Sequence, residues 1–218
     1  MLEKTSNLMG KLAGIAAVIM VILFILSRFD WSFLFEPKTY IAEYVPGIYM
    51  TDGYVSPFLK YKFTAPEGYE LATVEERAVL SNVAVNGLTV SEMEERMKKQ
   101  SMILDLYVYV PLSQKPHAMV LVEFKEEISK KDLESTAKEL LNQSTRLGMK
   151  VSGDYKIAEC LDRECAVYTG YRNVDGVNVN QDYYVFAENG YTWMMSFTYL
   201  DGDEKELEML KASFKIYE

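Results

Sequence analysis

Imidazole and thiol are nearly missing from this 218-residue chain, which holds one histidine, His117, and two cysteines, Cys160 and Cys165. That scarcity excludes a zinc cluster built from the usual nitrogen and sulfur ligands. It also leaves any Ser-His-Asp or Cys-His site a single imidazole to use, and nothing around His117 resembles a nucleophile elbow. Placed after Pro116 at the start of an apolar run, His117 reads as an exposed loop residue. Phosphate-binding glycine patterns are missing too, since neither G-x-x-x-x-G-K-[ST] nor G-x-G-x-x-G occurs. The acidic clusters Glu75-Glu76, Glu94-Glu95 and Asp201-Gly202-Asp203-Glu204 lack the EF-hand spacing and read as solvated helix faces and caps. No catalytic residue, metal or cofactor is expected. Positive charge is in the minority, 23 Lys and Arg against 32 Asp and Glu for a net charge of -9. Such a surface repels phosphate backbones, so nucleic acid is not an expected partner.

One long apolar run is present. Leu12 to Ser27 reads LAGIAAVIMVILFILS, without charge or proline. At 1.5 Å per residue it covers about 24 Å, and extension from Leu8 to Phe29, with Lys11 and Arg28 snorkelling, brings it to about 33 Å, enough for a bilayer core. Its Leu, Ile, Val and Phe side chains favour insertion by about 3 to 6 kcal/mol. A core helix would show a polar stripe, and this run has none. The following SRFDWSFLFEP offers no small-x-small cleavage site and no lipidation cysteine, so the run is expected to stay as an anchor. The short tail before it resembles a signal n-region. The first thirty residues carry +1 (Lys4, Lys11, Arg28 against Glu3, Asp30), leaving -10 for the rest, which is placed outside the cytoplasm. The expected organisation is a tail and transmembrane anchor over 1–30, a juxtamembrane connector over 31–46 and an α+β domain over 47–218.

The folded part is punctuated regularly. Tyr54 to Ala65 reads as one strand, with Tyr61 and Phe63 alternating against Lys60, Lys62 and Thr64, and Pro66-Glu67-Gly68 turns the chain. Thr73-Val-Glu-Glu76 and Thr89-Val-Ser-Glu92 fit the capping box and predict two helices. Met102 to Val110 and Ala118 to Phe124 alternate as strands. In the first, Leu104, Leu106, Val108 and Val110 share one face, and Ile103, Asp105, Tyr107 and Tyr109 the other. Leu133, Ala137, Leu140, Leu141, Ser144 and Leu147 mark the buried stripe of a long helix capped by Ser129-Lys-Lys-Asp132 and ended by Gly148. Met149 to Leu200 predicts a four-strand antiparallel meander with turns at Asp175-Gly176 and Asn189-Gly190. Its last strand puts Tyr191, Trp193, Met195, Phe197 and Tyr199 on one face, and Leu133, Leu140 and Leu147 are expected to cover it. Asp203 to Ala212 is a final helix. The fold class is α+β: an antiparallel sheet with a C-terminal meander covered by helices.

This order, with the P-E-G-Y turn (Pro66 to Tyr69) and the closing S-F-K-I (Ser213 to Ile216), resembles the PsbP-like fold over roughly residues 47 to 218. The resemblance implies a mostly non-enzymatic domain of the kind that stabilises or recruits other proteins, and it supplies no catalytic residues.

Cys160 and Cys165 flank the four-residue connection Leu161-Asp-Arg-Glu164. Directly opposed antiparallel residues lie about 4.5 to 5.5 Å apart at Cα, which overlaps disulfide geometry, so an extracytoplasmic hairpin admits a bond there. Two free thiols are the alternative, and the spacing is not the C-x-x-C of redox chemistry. The functional expectation is a single-pass, membrane-anchored binding or scaffolding domain acting on another envelope protein. A carboxylate-based envelope hydrolase and a binder of small apolar ligands are the alternatives; the first requires two carboxyls about 5 to 9.5 Å apart across a cleft, the second an enclosed apolar pocket.

Overall fold

The computed structural model describes residues 44–83, 85–100, 102–124, 133–174, 176–188 and 190–217. The chain divides into Met1–Lys38 and Thr39–Glu218, and the description below concerns the second unit. The expected membrane span at Leu12–Ser27 lies outside the described residues, among which no helix is long and apolar enough to cross a membrane.

In chain order the elements begin with strands β1 (Ile48–Met50), β2 (Gly53–Ser56), β3 (Tyr61–Thr64) and β4 (Glu70–Leu71). Helices α1 (Val74–Leu80) and α2 (Val90–Lys98) follow, then β5 (Met102–Tyr109) and β6 (His117–Phe124). Helix α3 (Leu133–Arg146) leads to β7 (Lys150–Val151), β8 (Lys156–Cys160), β9 (Arg163–Val174), β10 (Val177–Glu188) and β11 (Tyr191–Leu200). Helix α4 (Glu204–Ala212) and β12 (Phe214–Ile216) close the domain. The result is an α+β domain of two antiparallel sheets. The small one has the order β1-β2-β3-β12, and the large one β4-β5-β6-β11-β10-β9-β7 with β8 also pairing β9. Both expected capping boxes form, with Thr73 and Glu76, and Thr89 and Glu92, exchanging side-chain and backbone bonds.

Three expectations change. The single strand read over Tyr54–Ala65 is a hairpin, β2 and β3, because Pro57 withholds a donor and Lys60 adopts φ +54. The chains of this hairpin come so close that a Cβ on Gly53 would lie 2.0 Å from the Phe63 carbonyl oxygen. Second, α3 does not cover Trp193 and Phe197. Those rings, with Met195, face the small sheet and α4, which supply Tyr54, Tyr61, Phe63, Phe214, Leu207 and Leu210 to one core, where Phe186 stacks on Trp193 at 3.8 Å. Helix α3 lies on the opposite face, over Ala166, Tyr168, Tyr183 and Val185. Third, Leu147 falls past the last turn of α3 and is 74% exposed, since Gly148 (φ +85) ends the helix before that position can face inward.

The meander is as expected: β8, β9, β10 and β11 follow one another with short turns. Val174 pairs with Val177 and Glu188 with Tyr191, and Gly176 and Gly190 take positive φ.

Candidate functional site

The strand β5 departs from strict alternation. Ile103 pairs with Val122, but Leu106 pairs with Val120, so one extra residue is inserted between Leu104 and Leu106. Ile103, Leu106 and Val108 consequently share the core face, and Asp105, fully buried, is carried by the bulge. Its carboxylate accepts from Tyr44, from Tyr54 at 2.9 Å and from Tyr61 at 2.6 Å, while the Arg77 guanidinium donates to the Asp105 carbonyl at 3.2 Å. Burial pushes the Asp105 carboxyl above the usual range, and the three phenol bonds oppose that rise. Burial raises the phenols in turn, with the Asp105 charge adding to it. Three hydroxyls around one desolvated carboxylate satisfy its lone pairs and pin β2, β3 and the segment before β1 to the large sheet.

Beyond the bulge, Tyr107 and Tyr109 turn to the other face of the large sheet. Helix α3 packs on β7, β9 and β10, while the helices against β5 are α1 and α2. At 12 residues each, β9 and β10 outrun the 8-residue β5 and β6. Between the β9–β10 tip and the 111–116 loop lies an open groove of about 690 Å³. Tyr107, Tyr109, His117 and Thr198 line it, with Val174, Val177, Val179 and Leu200 along one side and Leu112 to Lys115 along the other. The Tyr107 and Tyr109 rings stack at 5.5 Å, and His117 meets Tyr107 edge-on at 5.7 Å. Tyr109 donates to Glu76 at 2.7 Å, which pushes its hydroxyl up to about 12.

Three aliphatic side chains stand in water at the rim. Val174 and Val177 are about half exposed at the hairpin tip, and Leu112 is fully exposed. Leu112 also adopts φ +53, a left-handed conformation that costs a branched side chain about 1 kcal/mol or more. Among the described residues no carboxylate lines the groove, although Lys115 and His117 do. His117 is therefore not the exposed loop residue expected. It begins β6 opposite Thr198, and burial lowers its imidazole, favouring the neutral ring.

The cysteines lie elsewhere, on the β8–β9 hairpin. The expected disulfide is not formed, and both are free thiols. The turn is two residues long rather than four, with Leu161 and Asp162 at φ +52 and +51, so Cys160 pairs with Arg163 and Cys165 with Ala158. The two cysteines are thus diagonal on one face. Diagonal neighbours lie about 7 to 8 Å apart, beyond the range a disulfide bridges without backbone movement. A thiol–thiol hydrogen bond lowers Cys160 and raises Cys165.

The acidic clusters act locally. Glu76 and Glu92 cap helices, and Asp201 accepts from Asn178 and Asn180. Sequence reasoning missed the groove and the Asp105 cluster. The one available signal was a lone aspartate inside the apolar run MILDLYVY.

No family model matches the chain, and a comparison with curated proteins gives no match. The solved structures it is similar to include cyanobacterial PsbP (CyanoP) from Synechocystis sp. PCC 6803, at 12% identity and TM-score 0.45, covering 79% of this chain and 97% of that one. LpqN of Mycobacterium tuberculosis, described as involved in cell envelope biogenesis, is 14% identical with TM-score 0.43, covering 72% and 83%. A crystal structure from Bacteroides thetaiotaomicron is 12% identical with TM-score 0.42 over 77% of this chain. The chain spans about half of that protein's length, 48%.

Proposed function

We propose that this is a membrane-anchored, non-enzymatic binding domain, held by the Leu12–Ser27 helix with its acidic domain on the extracytoplasmic side, and that the groove receives a segment of another envelope protein. The observation that carries this reading is the groove rim. Leu112, Val174 and Val177 expose aliphatic surface around a concave site whose floor is aromatic, and Leu112 does so in a backbone conformation that opposes its side chain. Apolar exposure of this kind is worth keeping where a partner covers it. The open side suits a chain segment better than an enclosed small ligand, and the described lining holds no pair of carboxylates for hydrolysis.

The test is a photocrosslinking residue placed at Val177 in the full chain in intact cells, with Lys156, exposed on β8, as the control position. The reading expects a discrete adduct with one envelope protein from Val177 and none from Lys156, lost when Leu112 is changed to Glu. Equal, diffuse labelling from both positions overturns it.

A further inference from the structure

The outer face of the small sheet opposes the rest of the molecule in charge. The register aligns Ile48 with Val55, Val55 with Lys62, and Lys62 with Lys215 across all four strands. Because side chains alternate, Met50 shares this outer face, while Tyr54, Phe63 and Phe214 point into the core. Ile48 and Met50 are 56% and 57% exposed, and Lys60, Lys62 and Lys215 are exposed beside them. Tyr217, one step past β12, is exposed too. No Asp or Glu occurs in β1, β2, β3 or β12; the nearest in sequence on the β1 side is Asp52, in the turn at the sheet's end. A chain of net charge -9 has thus gathered lysines on a face that carries no acid in its strands.

Two of these lysines are in conflict. Lys62 and Lys215 are direct cross-strand partners, an arrangement in which like charges repel. Neither has an ion-pair partner among the described residues, whereas Lys211 has two. A protein stabilised for itself would place a carboxylate at one of those positions. Retaining two cations opposite one another, flanked by exposed Ile48 and Met50 and half-buried Val55, matches an anionic surface with an apolar interior beneath it. Lysine stems lie along apolar surface with the ammonium at headgroup level, Tyr prefers the same depth, and short aliphatic side chains reach the acyl boundary.

We infer that this face rests on the anionic headgroup layer of the membrane. The inference builds on the anchored reading above, which supplies the tether: about twenty residues separate Phe29 from Ile48, a reach of at most about 65 Å. The contact sets which way the domain stands. It leaves the groove, on the far face of the large sheet, turned from the lipid.

The experiment uses the full chain in lipid nanodiscs and reads lysine acetylation by mass spectrometry. Discs of phosphatidylcholine alone are compared with discs containing phosphatidylglycerol. In the anionic discs the reactivity of Lys60, Lys62 and Lys215 is expected to fall about fivefold, the weight of one basic residue near an anionic surface. Lys156 and Lys205, exposed elsewhere, should not change. Protection should vanish in 1 M salt, where screening shortens to about 3 Å, and Lys60 should lose it in the Lys62→Glu, Lys215→Glu variant, whose positions are exposed and tolerate the change. Equal reactivity in both discs overturns the inference, as does protection that appears only on adding polyglutamate, which would identify an acidic protein as the occupant. A chain that does not enter the discs overturns the anchor and this surface with it; a chain that enters with its lysines unprotected overturns the lipid contact alone.

Discussion

The two faces of the large sheet are treated differently by the chain. One is sealed: the small sheet and α4 close over Trp193, Met195 and Phe197, and the two carboxylates that enter are both partnered, Asp105 by three phenols and Asp182 by Lys211 of α4. The other is sealed only in part. Helix α3 covers β7, β9 and β10, and the ends of β5, β6 and β11 remain as the floor of a groove with exposed aliphatics at its lip. On the first face, polar groups are present to hold the fold. On the second, apolar groups are exposed where the fold does not need them. Stability is therefore expected to concentrate on one side and recognition on the other.

The largest test of that contrast is the sealed face. Phe197→Ala removes a ring packed edge-on against Phe214 and Tyr184, and it should lower unfolding stability by about 3 to 5 kcal/mol in urea denaturation. Asp105→Ala should cost about 3 kcal/mol, because it strands the Tyr44, Tyr54 and Tyr61 hydroxyls without an acceptor. Asp105→Asn keeps an acceptor oxygen and should cost less. It also has a pH signature. The folded carboxyl is raised above its unfolded value, so its contribution is fully present below the ordinary carboxylate range and is lost as pH rises through the folded value. Measured from acid towards neutral pH, the stability difference should move in favour of Asn; a difference flat with pH would mean that the Asp105 carboxyl titrates alike in the folded and unfolded chain.

How much of this the sequence discloses depends on whether a feature is local. The capping boxes at Thr73 and Thr89, the glycine turns of the meander and the apolar face of β11 are each written in a few adjacent residues, and each was legible. What failed was relational. The bulge at Asp105 depends on how β5 meets β6, and one inserted residue moves Ile103 to the face of Leu106. A helical stripe is visible in sequence, which is why the pattern points to α3 as the cover of Trp193. The four short strands of the small sheet, two of them read as one, gave no sign that they would fold over it. The groove is harder still, since it arises from strand lengths and a helix placed off-centre.

On the open face the expected effects are small in stability and large in binding. Leu112→Gly removes a fully exposed side chain from a left-handed residue. Glycine takes that backbone without steric cost, which offsets its greater unfolded entropy. Stability should stay within about 1 kcal/mol by urea denaturation, while the Val177 crosslink of the proposed partner is lost. A loss of several kcal/mol would mean that Leu112 holds the loop and is not a recognition group.

The smallest expected effect belongs to His117. Its ring sits against Tyr107 at the groove floor, and burial lowers its proton affinity below that of an unfolded histidine. The unfolded chain therefore binds the proton more readily, so stability rises with pH through the window below about 6.5 and is flat above it. Replacing His117 by Gln removes the titration. The variant should show a shallower dependence of stability between pH 5 and 7 and differ little at pH 8, by about 0.5 kcal/mol. The comparison separates the two faces by sign: the sealed face, through Asp105, contributes a term that favours acid, and the open face, through His117, one that favours neutrality. If the Gln variant keeps the wild-type pH profile, the imidazole is already accessible to protons in the folded state, and the groove floor is wetter than its aromatic lining implies.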